Sequence, residues 1–135
     1  MDATSRRLTV LGFYLLAVFL PLGLTLEALH ALKVPVYLED TLRRELWTLA
    51  HAHGNLLGIV CLLIGANGER LIREEQRRRF VARWLTVGAV TMPLGFLLGG
   101  VLNAEGDPSL FILLVPAGGL ALLAALVRAA WGVKD

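Results

Sequence analysis

Four long runs without a formal charge constrain this chain more than any other feature of its sequence. Each run is close to the roughly 20 apolar residues that a helix needs to cross the hydrocarbon core of a bilayer. We therefore expect an all-α integral membrane four-helix bundle that forms a single transmembrane domain over residues 1–135. The runs are Leu8–Leu26, Leu46–Gly68, Trp84–Ala104 and Pro108–Val127. The predicted helices cover about 8–30, 41–67, 81–103 and 108–130, the last of them capped by Asp107.

The composition excludes several other classes of protein. The chain is 56% hydrophobic and 18% charged, whereas a soluble domain is about a quarter charged and less than half apolar. Thirteen basic and eleven acidic residues nearly cancel, a balance too even to indicate a nucleic-acid partner. The single cysteine cannot form an intramolecular disulfide. An ordinary soluble enzyme is thus disfavoured, and the lipid bilayer is the expected partner.

Lysine and arginine are distributed unevenly between the two sides of the predicted membrane domain. Ten of the thirteen lie before the first helix, between the second and third, or after the fourth. By the positive-inside rule, both termini are expected in the cytoplasm. The loop Glu69–Arg83 carries six of these arginines. It is interpreted either as a topology determinant with internal ion pairs or as a surface for anionic lipids.

Small residues recur at helical spacing on two of the predicted helices. Gly54, Gly58 and Gly65 fall on one stripe of the second helix, and Gly95 and Gly99 on one of the third. Such stripes let membrane helices approach closely, but they also make room for a flat cofactor or a lipid. Both interpretations stay open from the sequence. The Gly95/Gly99 face also suggests a homo-oligomer.

Polar residues collect near the predicted outer end of the bundle, where they form a candidate site. Ionisable groups in or near membrane helices are functional candidates by default. The candidate metal ligands are Glu27, His30, His51 and His53, and the candidate cofactor-binding residues are His30, Arg44, His51, Asn55 and Asn103. His51 and His53 lie 200° apart on a regular helix, at 100° per residue, so they cannot both bind one ion there.

Three functional interpretations of this site compete. Histidines on separate helices can ligate the iron of heme b, with Arg44 pairing with a propionate, or they can bind zinc or copper together with Glu27. The second interpretation is a non-catalytic structural or lipid-interacting subunit, in which these groups only form hydrogen bonds and ion pairs at the interface. The third is a small dimeric proton-coupled carrier with Glu27 as its proton site, although carrier sites are expected near the bilayer midplane. Whether the protein is an enzyme stays open.

The segment Trp47-Thr48-Leu49-Ala50-His51-Ala52-His53-Gly54 opens the second predicted helix. Together with the residues from Glu27 to Gly58, it resembles a group of small uncharacterised bacterial four-helix membrane proteins. That resemblance implies the fold and a multi-pass location in the bacterial inner membrane, but no particular activity. The His-x-His start is also similar to NnrS-type heme and copper membrane proteins, in which the string continues His-Glu-Met, whereas here it continues His53-Gly54-Asn55. This second resemblance implies heme or copper as a ligand.

Overall fold

The computed structural model describes residues 1–104 and 106–133, in which every regular element is a helix. The all-α prediction is confirmed for these residues. The long helices are α1 (Ala3–Ala31), α3 (Thr41–Leu71), α4 (Glu75–Val101) and α5 (Leu114–Gly132), with a short α2 (Pro35–Leu38) before α3 and a 3₁₀ turn (Leu110–Leu113) leading into α5. These helices coincide with the four uncharged runs. Each of the four, counting the 3₁₀ turn with α5, is long and apolar enough to cross a membrane.

Aspartates set the beginning of two of the helices. Asp2 Oδ1 accepts a hydrogen bond of 2.7 Å from the Ser5 N–H, and Asp40 Oδ1 accepts one of 2.9 Å from the Arg43 N–H. Each carboxylate thereby satisfies an N–H group that has no partner inside its helix. The first cap explains why α1 begins well before the uncharged run at Leu8, because a capped polar turn precedes the apolar segment.

The last helix begins later than the sequence predicts. Asp107 does not cap it: the backbone of Asp107 pairs with that of Ala104 in a tight turn. Beyond the turn, the Ser109 N–H donates to the Gly99 carbonyl at 3.2 Å, and Ser109 Oγ donates to the Leu98 carbonyl at 3.1 Å. These bonds hold the segment against the end of α4, so helical structure starts only at Leu110.

The long helices pack as antiparallel neighbours, with α1 against α3, α3 against α4 and α4 against α5. The helix starts and ends that lie near one another define two ends of the bundle. The arginine-rich end contains the first residues of α1 and α4 and the last residues of α3 and α5. The opposite end of the bundle is called the distal end. The apolar windows of α1 and α5 are only 22% and 17% buried, against 33% and 39% for α3 and α4. The outer helices therefore present the widest apolar surfaces.

The glycine stripe of α3 is a packing surface within the chain. The Phe19 ring of α1 lies directly over Gly54, where a Cβ would overlap it. Further along, Gly58 lies against the Gly12 carbonyl, and Gly65 lies against Thr9. The space that the missing side chains open is thus filled by α1, as expected where two membrane helices approach closely.

The glycine stripe of α4 is also covered within the chain. Gly95 and Gly99 are buried. A Cβ on Gly95 would lie 2.9 Å from a methyl group of Val115, and one on Gly99 would lie 3.3 Å from Ile112. A second copy would have to displace α5 and its leading turn to reach this face, so the sequence-based choice of the Gly95/Gly99 face for a homo-oligomer does not suit this packing.

Candidate functional site

His51 is the predicted site residue that the fold fixes most tightly. It lies on α3 and crosses to α1, where its Nδ1 is 2.7 Å from the Phe19 carbonyl oxygen. The imidazole fits there because position 23 is glycine, and any Cβ at that position would overlap the ring. A carbonyl oxygen only accepts hydrogen bonds, so Nδ1 must carry the proton of this bond. In the tautomer that has its one ring proton on Nδ1, Nε2 keeps a lone pair.

Asn55 lies one turn further along α3 and lines the same site. Its Nδ2 donates to the His51 carbonyl at 2.8 Å and is 3.1 Å from His51 Nδ1. Its Oδ1 is enclosed and has no hydrogen-bond partner among the described residues. An enclosed amide oxygen without a partner is costly in an apolar setting. In that tautomer of His51, the site has two acceptors without a partner in the part of the chain that the structure describes, namely Asn55 Oδ1 and His51 Nε2.

His53 belongs to a different surface of α3. Its ring packs against Phe96 of α4, with centroids 5.0 Å apart and planes at 37°. Its Nδ1 is 2.9 Å from the Leu49 carbonyl of its own helix. His51 and His53 therefore contact different neighbouring helices, as their two-residue spacing predicts.

Glu27 and His30 lie near the end of α1, and both are exposed. Neither side chain takes part in a hydrogen bond or ion pair within residues 1–104 and 106–133. In that part of the chain, no three or more His, Cys, Asp or Glu residues are grouped closely enough to hold a metal ion. The predicted set of Glu27, His30 and His51 is thus not assembled by one described chain. Glu27 also lies only four residues before the end of α1, away from the middle of the helix where carrier sites are expected.

Arg43, rather than the predicted Arg44, is the central cation of the distal end. Its Nε donates to the Gly100 carbonyl at 3.0 Å, and its two terminal nitrogens donate to the Val36 carbonyl and to Asn103 Oδ1, both at 2.8 Å. The guanidinium also lies 5.7 Å from the centre of the Trp47 ring. In contrast, Arg44 approaches only the Leu38 carbonyl among the described residues, at 3.4 Å.

Asn103 is part of this Arg43 network, not of the His51 site. Its Oδ1 accepts from Arg43, and its Nδ2 donates to Asp40 Oδ2 at 2.7 Å. The Arg43 N–H and then the Asn103 amide hold the pKa of Asp40 below its ordinary value. The predicted grouping of Arg44 and Asn103 around His51 is therefore wrong in its geometry. Asn103 instead joins Arg43 and Asp40 in the network that holds the α2–α3 segment against α4.

Three of the six arginines of the predicted lipid-binding loop form ion pairs within the protein itself. Arg78 forms an ion pair with Asp2 at 2.7 Å and donates to the Ile72 carbonyl at 2.9 Å. Arg77 pairs with Glu74 at 3.0 Å, and Arg79 pairs with Glu75. The Ser5 N–H and then Arg78 lower the pKa of Asp2 to about 2. Internal ion pairs thus account for much of this positive charge.

A groove of about 690 Å³ lies between α1 and α4 at the arginine-rich end. Arg7 from α1 and Arg83 from α4 line it together with Arg79, and Leu11 and Val87 lie further along the same two helices. The sequence analysis selected the arginines of the loop but did not predict that Arg7 and Arg83 line the same groove. A signal was present, since each of these two is the last charged residue before an uncharged run.

By length and composition, four helices of the chain could each span a membrane, which is compatible with a small membrane protein. No family model, curated protein or solved structure matches it at a significant level. Its function is therefore inferred from its own residues.

Proposed function

We propose that the protein is a multi-pass protein of the bacterial inner membrane, with both termini in the cytoplasm, that acts as a lipid-interacting subunit. The observation that carries this proposal is the groove between α1 and α4, where Arg7 and Arg83 stand above an apolar surface. Anionic phospholipids attract such basic residues at the cytoplasmic surface of a membrane.

The outward-facing side chains support a lipid environment. Phe13 and Leu24 on α1 are 62% and 67% exposed, and Leu120 and Leu123 on α5 are 69% and 58% exposed. Large apolar side chains in such numbers are expected to face acyl chains or a partner, because a contiguous apolar surface of this kind is rare on a protein that faces water. Ten of thirteen basic residues, Arg6 and Arg7 among them, belong to the predicted cytoplasmic side.

Cysteine labelling in intact cells tests the orientation. The native Cys61 is buried, and Cys61→Ala gives a background for single cysteines at exposed positions of each end, Arg70→Cys and Glu39→Cys. A membrane-impermeant maleimide should label Glu39→Cys in intact cells but label Arg70→Cys only after lysis. The reverse pattern would overturn the proposed orientation.

Lipid analysis of the purified protein tests the interaction itself. The wild-type protein is extracted from membranes in mild detergent, and its retained phospholipids are identified by mass spectrometry. Enrichment of anionic over zwitterionic phospholipids, relative to the source membrane, is expected. Retention in proportion to the membrane composition would contradict a lipid-interacting function.

A second candidate function is ligation of heme iron or a transition metal by His51. It is favoured by the Nδ1 hydrogen bond to the Phe19 carbonyl, because metal-ligating histidines commonly direct their other ring N–H to such an acceptor. Further ligands would have to come from outside residues 1–104 and 106–133 of one chain, for example from a second copy.

A spectrum of the purified protein, oxidised and then reduced, tests this candidate together with metal analysis. Binding predicts a Soret band, or stoichiometric zinc or copper, that is lost in His51→Ala and retained in His53→Ala, because His53 faces α4. A featureless spectrum without bound metal, or equal loss in both variants, would contradict it.

A further inference from the structure

Arg7 and Arg83 lie at the same depth of the bundle, on the two helices that form the groove. Both helices begin at the arginine-rich end and run in the same direction, and Arg7 and Arg83 are their last charged residues before the uncharged runs. Both line the groove. Its two walls therefore change from charged to apolar at the same level, as a phospholipid does between its phosphate and its acyl chains.

Arg7 and Arg83 also differ from the other groove arginine in their bonding. Arg79 is neutralised by Glu75 one turn earlier on α4. Within the described residues, neither Arg7 nor Arg83 has a carboxylate or carbonyl partner, and both are exposed. Two guanidinium groups that face one groove without a counter-charge fit an anion, and a phosphate accepts hydrogen bonds from arginine in a favourable planar geometry.

The apolar part of the groove distinguishes a lipid from a free anion. Leu8 is buried in its wall, while Leu11 and Val87 lie one turn deeper than the two arginines. One turn of helix is about 5.4 Å, so these side chains lie where the first methylene groups below a bound headgroup would run. The volume of about 690 Å³ falls within the range of about 300–1,000 Å³ that is usual for small-ligand sites.

We propose that this groove binds one anionic phospholipid, with its phosphate between Arg7 and Arg83 and an acyl chain along Leu11 and Val87. The proposal rests on the lipid-interacting function and on the arginine-rich end facing the cytoplasmic leaflet. Binding of this kind depends on two particular arginines, whereas general attraction of anionic lipids would depend on all ten basic residues predicted on that side.

Native mass spectrometry of the full chain in detergent, titrated with phosphatidylglycerol, tests the proposal. Removing one arginine from a membrane-surface contact is expected to weaken binding about fivefold, and removing both about 30-fold. Arg7→Gln and Arg83→Gln should show these losses singly and together. Arg79→Gln should lose much less, because Glu75 already neutralises Arg79.

Two matched controls separate the groove from total charge. Arg70→Gln with Arg73→Gln removes the same charge from exposed positions outside the groove, and Arg6→Gln removes the neighbour of Arg7 on another face of α1. Both should bind phosphatidylglycerol like the wild type. If the Arg70/Arg73 pair weakens binding as much as the Arg7/Arg83 pair, the groove is not the site.

A third comparison identifies the ligand as a lipid. Val87→Trp narrows the apolar part without changing charge, and Leu94→Trp is the control on an equally exposed position of α4, since Val87 and Leu94 are 39% and 38% exposed. Val87→Trp should weaken binding, Leu94→Trp should not, and excess inorganic phosphate should leave the lipid bound. Displacement by phosphate with no effect of Val87→Trp would identify a simple anion site and overturn the proposal.

Retention of folding is checked for every variant by circular dichroism and gel filtration. Failure of the wild type to prefer phosphatidylglycerol over phosphatidylcholine would overturn both this inference and the lipid-interacting function. A wild-type preference that survives Arg7→Gln with Arg83→Gln would overturn this inference alone.

Discussion

Replacement of Arg43 by alanine should destabilise the protein more than any other change of a charged residue at the distal end. The Arg43 side chain joins three segments: it starts from α3, donates to the Val36 carbonyl in α2, and donates to the Gly100 carbonyl and Asn103 at the end of α4. Arg44→Ala is the natural control, because it removes the same side chain from the next position along the same helix.

The magnitude follows from the bonds that are lost. A hydrogen bond from a charged group contributes about 1.5–3 kcal/mol when it is well buried. The Arg43 side chain is 16% exposed, and the acceptors it leaves can be rehydrated in part, so about 1 kcal/mol for each of three bonds is a reasonable discount. We therefore expect Arg43→Ala to cost about 3 kcal/mol. Arg44→Ala should cost less than about 1 kcal/mol, because its contact of 3.4 Å lies beyond normal hydrogen-bond distances.

Unfolding in mixed micelles, titrated with sodium dodecyl sulfate and followed by circular dichroism, measures both free energies under the same conditions. Asn103→Ala and the double variant Arg43→Ala/Asn103→Ala complete a double-mutant cycle. Because the two residues share a bond of 2.8 Å, the double variant should lose less than the sum of the single losses. Equal destabilisation by Arg43→Ala and Arg44→Ala, or strict additivity in the cycle, would refute this reasoning.

The same unfolding assay checks two further predictions. Gly23→Ala should destabilise the protein by about 1–3 kcal/mol, as overpacking does, because its Cβ would overlap the His51 ring. Gly119→Ala is the control and should change stability little, because its Cβ would meet only the end of Met92 at 3.3 Å. Equal effects of the two substitutions would show that His51 is not held at Gly23. The wild type should have a larger free energy of unfolding than Asp2→Asn above pH 3.8, the ordinary pKa of this group. This difference should disappear as the pH falls towards the folded-state pKa of about 2. A difference that does not change with pH would argue against the lowered pKa of Asp2, to which the Ser5 N–H and then Arg78 contribute.

The positions of the long helices could be predicted from the sequence because the signal is repeated along each of them. Every uncharged run of about 20 residues needs a helix to satisfy its backbone in an apolar setting, and α1, α3, α4 and α5 fall on the four runs. The start of α5 was predicted too early. An aspartate followed by proline is typical of a helix start, but backbone pairing between Ala104 and Asp107 takes precedence here.

The side-chain partners were much harder to predict. Arg43 and Arg44 differ by one residue and hence by 100° around α3, and only the packing of α2 and α4 against α3 decides which of the two is enclosed. The same is true of His51, whose interhelical acceptor is a backbone carbonyl that any residue at position 19 would supply. A pattern of side chains contains no information about such a partner.

Glu27 and His30 show a related limit. Both residues lie on α1, within its last two turns, and both side chains are exposed there. The spacing of residues along one helix can be predicted from the sequence, but the distance between residues on two helices cannot. The predicted set of Glu27, His30 and His51 crosses two helices, so the sequence did not show whether its members meet.

The Arg43 network at the distal end and the groove arginines at the arginine-rich end differ in how many internal bonds they form. At the distal end, the carboxylate of Asp40, the guanidinium of Arg43 and the amide of Asn103 bond to one another and to backbone carbonyls. A network with its bonding capacity used in this way holds helices together and leaves little for a ligand. At the arginine-rich end, Arg78 is likewise paired with Asp2, yet the groove cations Arg7 and Arg83 have no such partner in the described residues. A counter-charge from outside the chain, such as the phosphate of an anionic lipid at a membrane surface, can pair with such arginines. The arginine-rich groove, where two of them face an apolar surface, is therefore the first place at which to look for that partner.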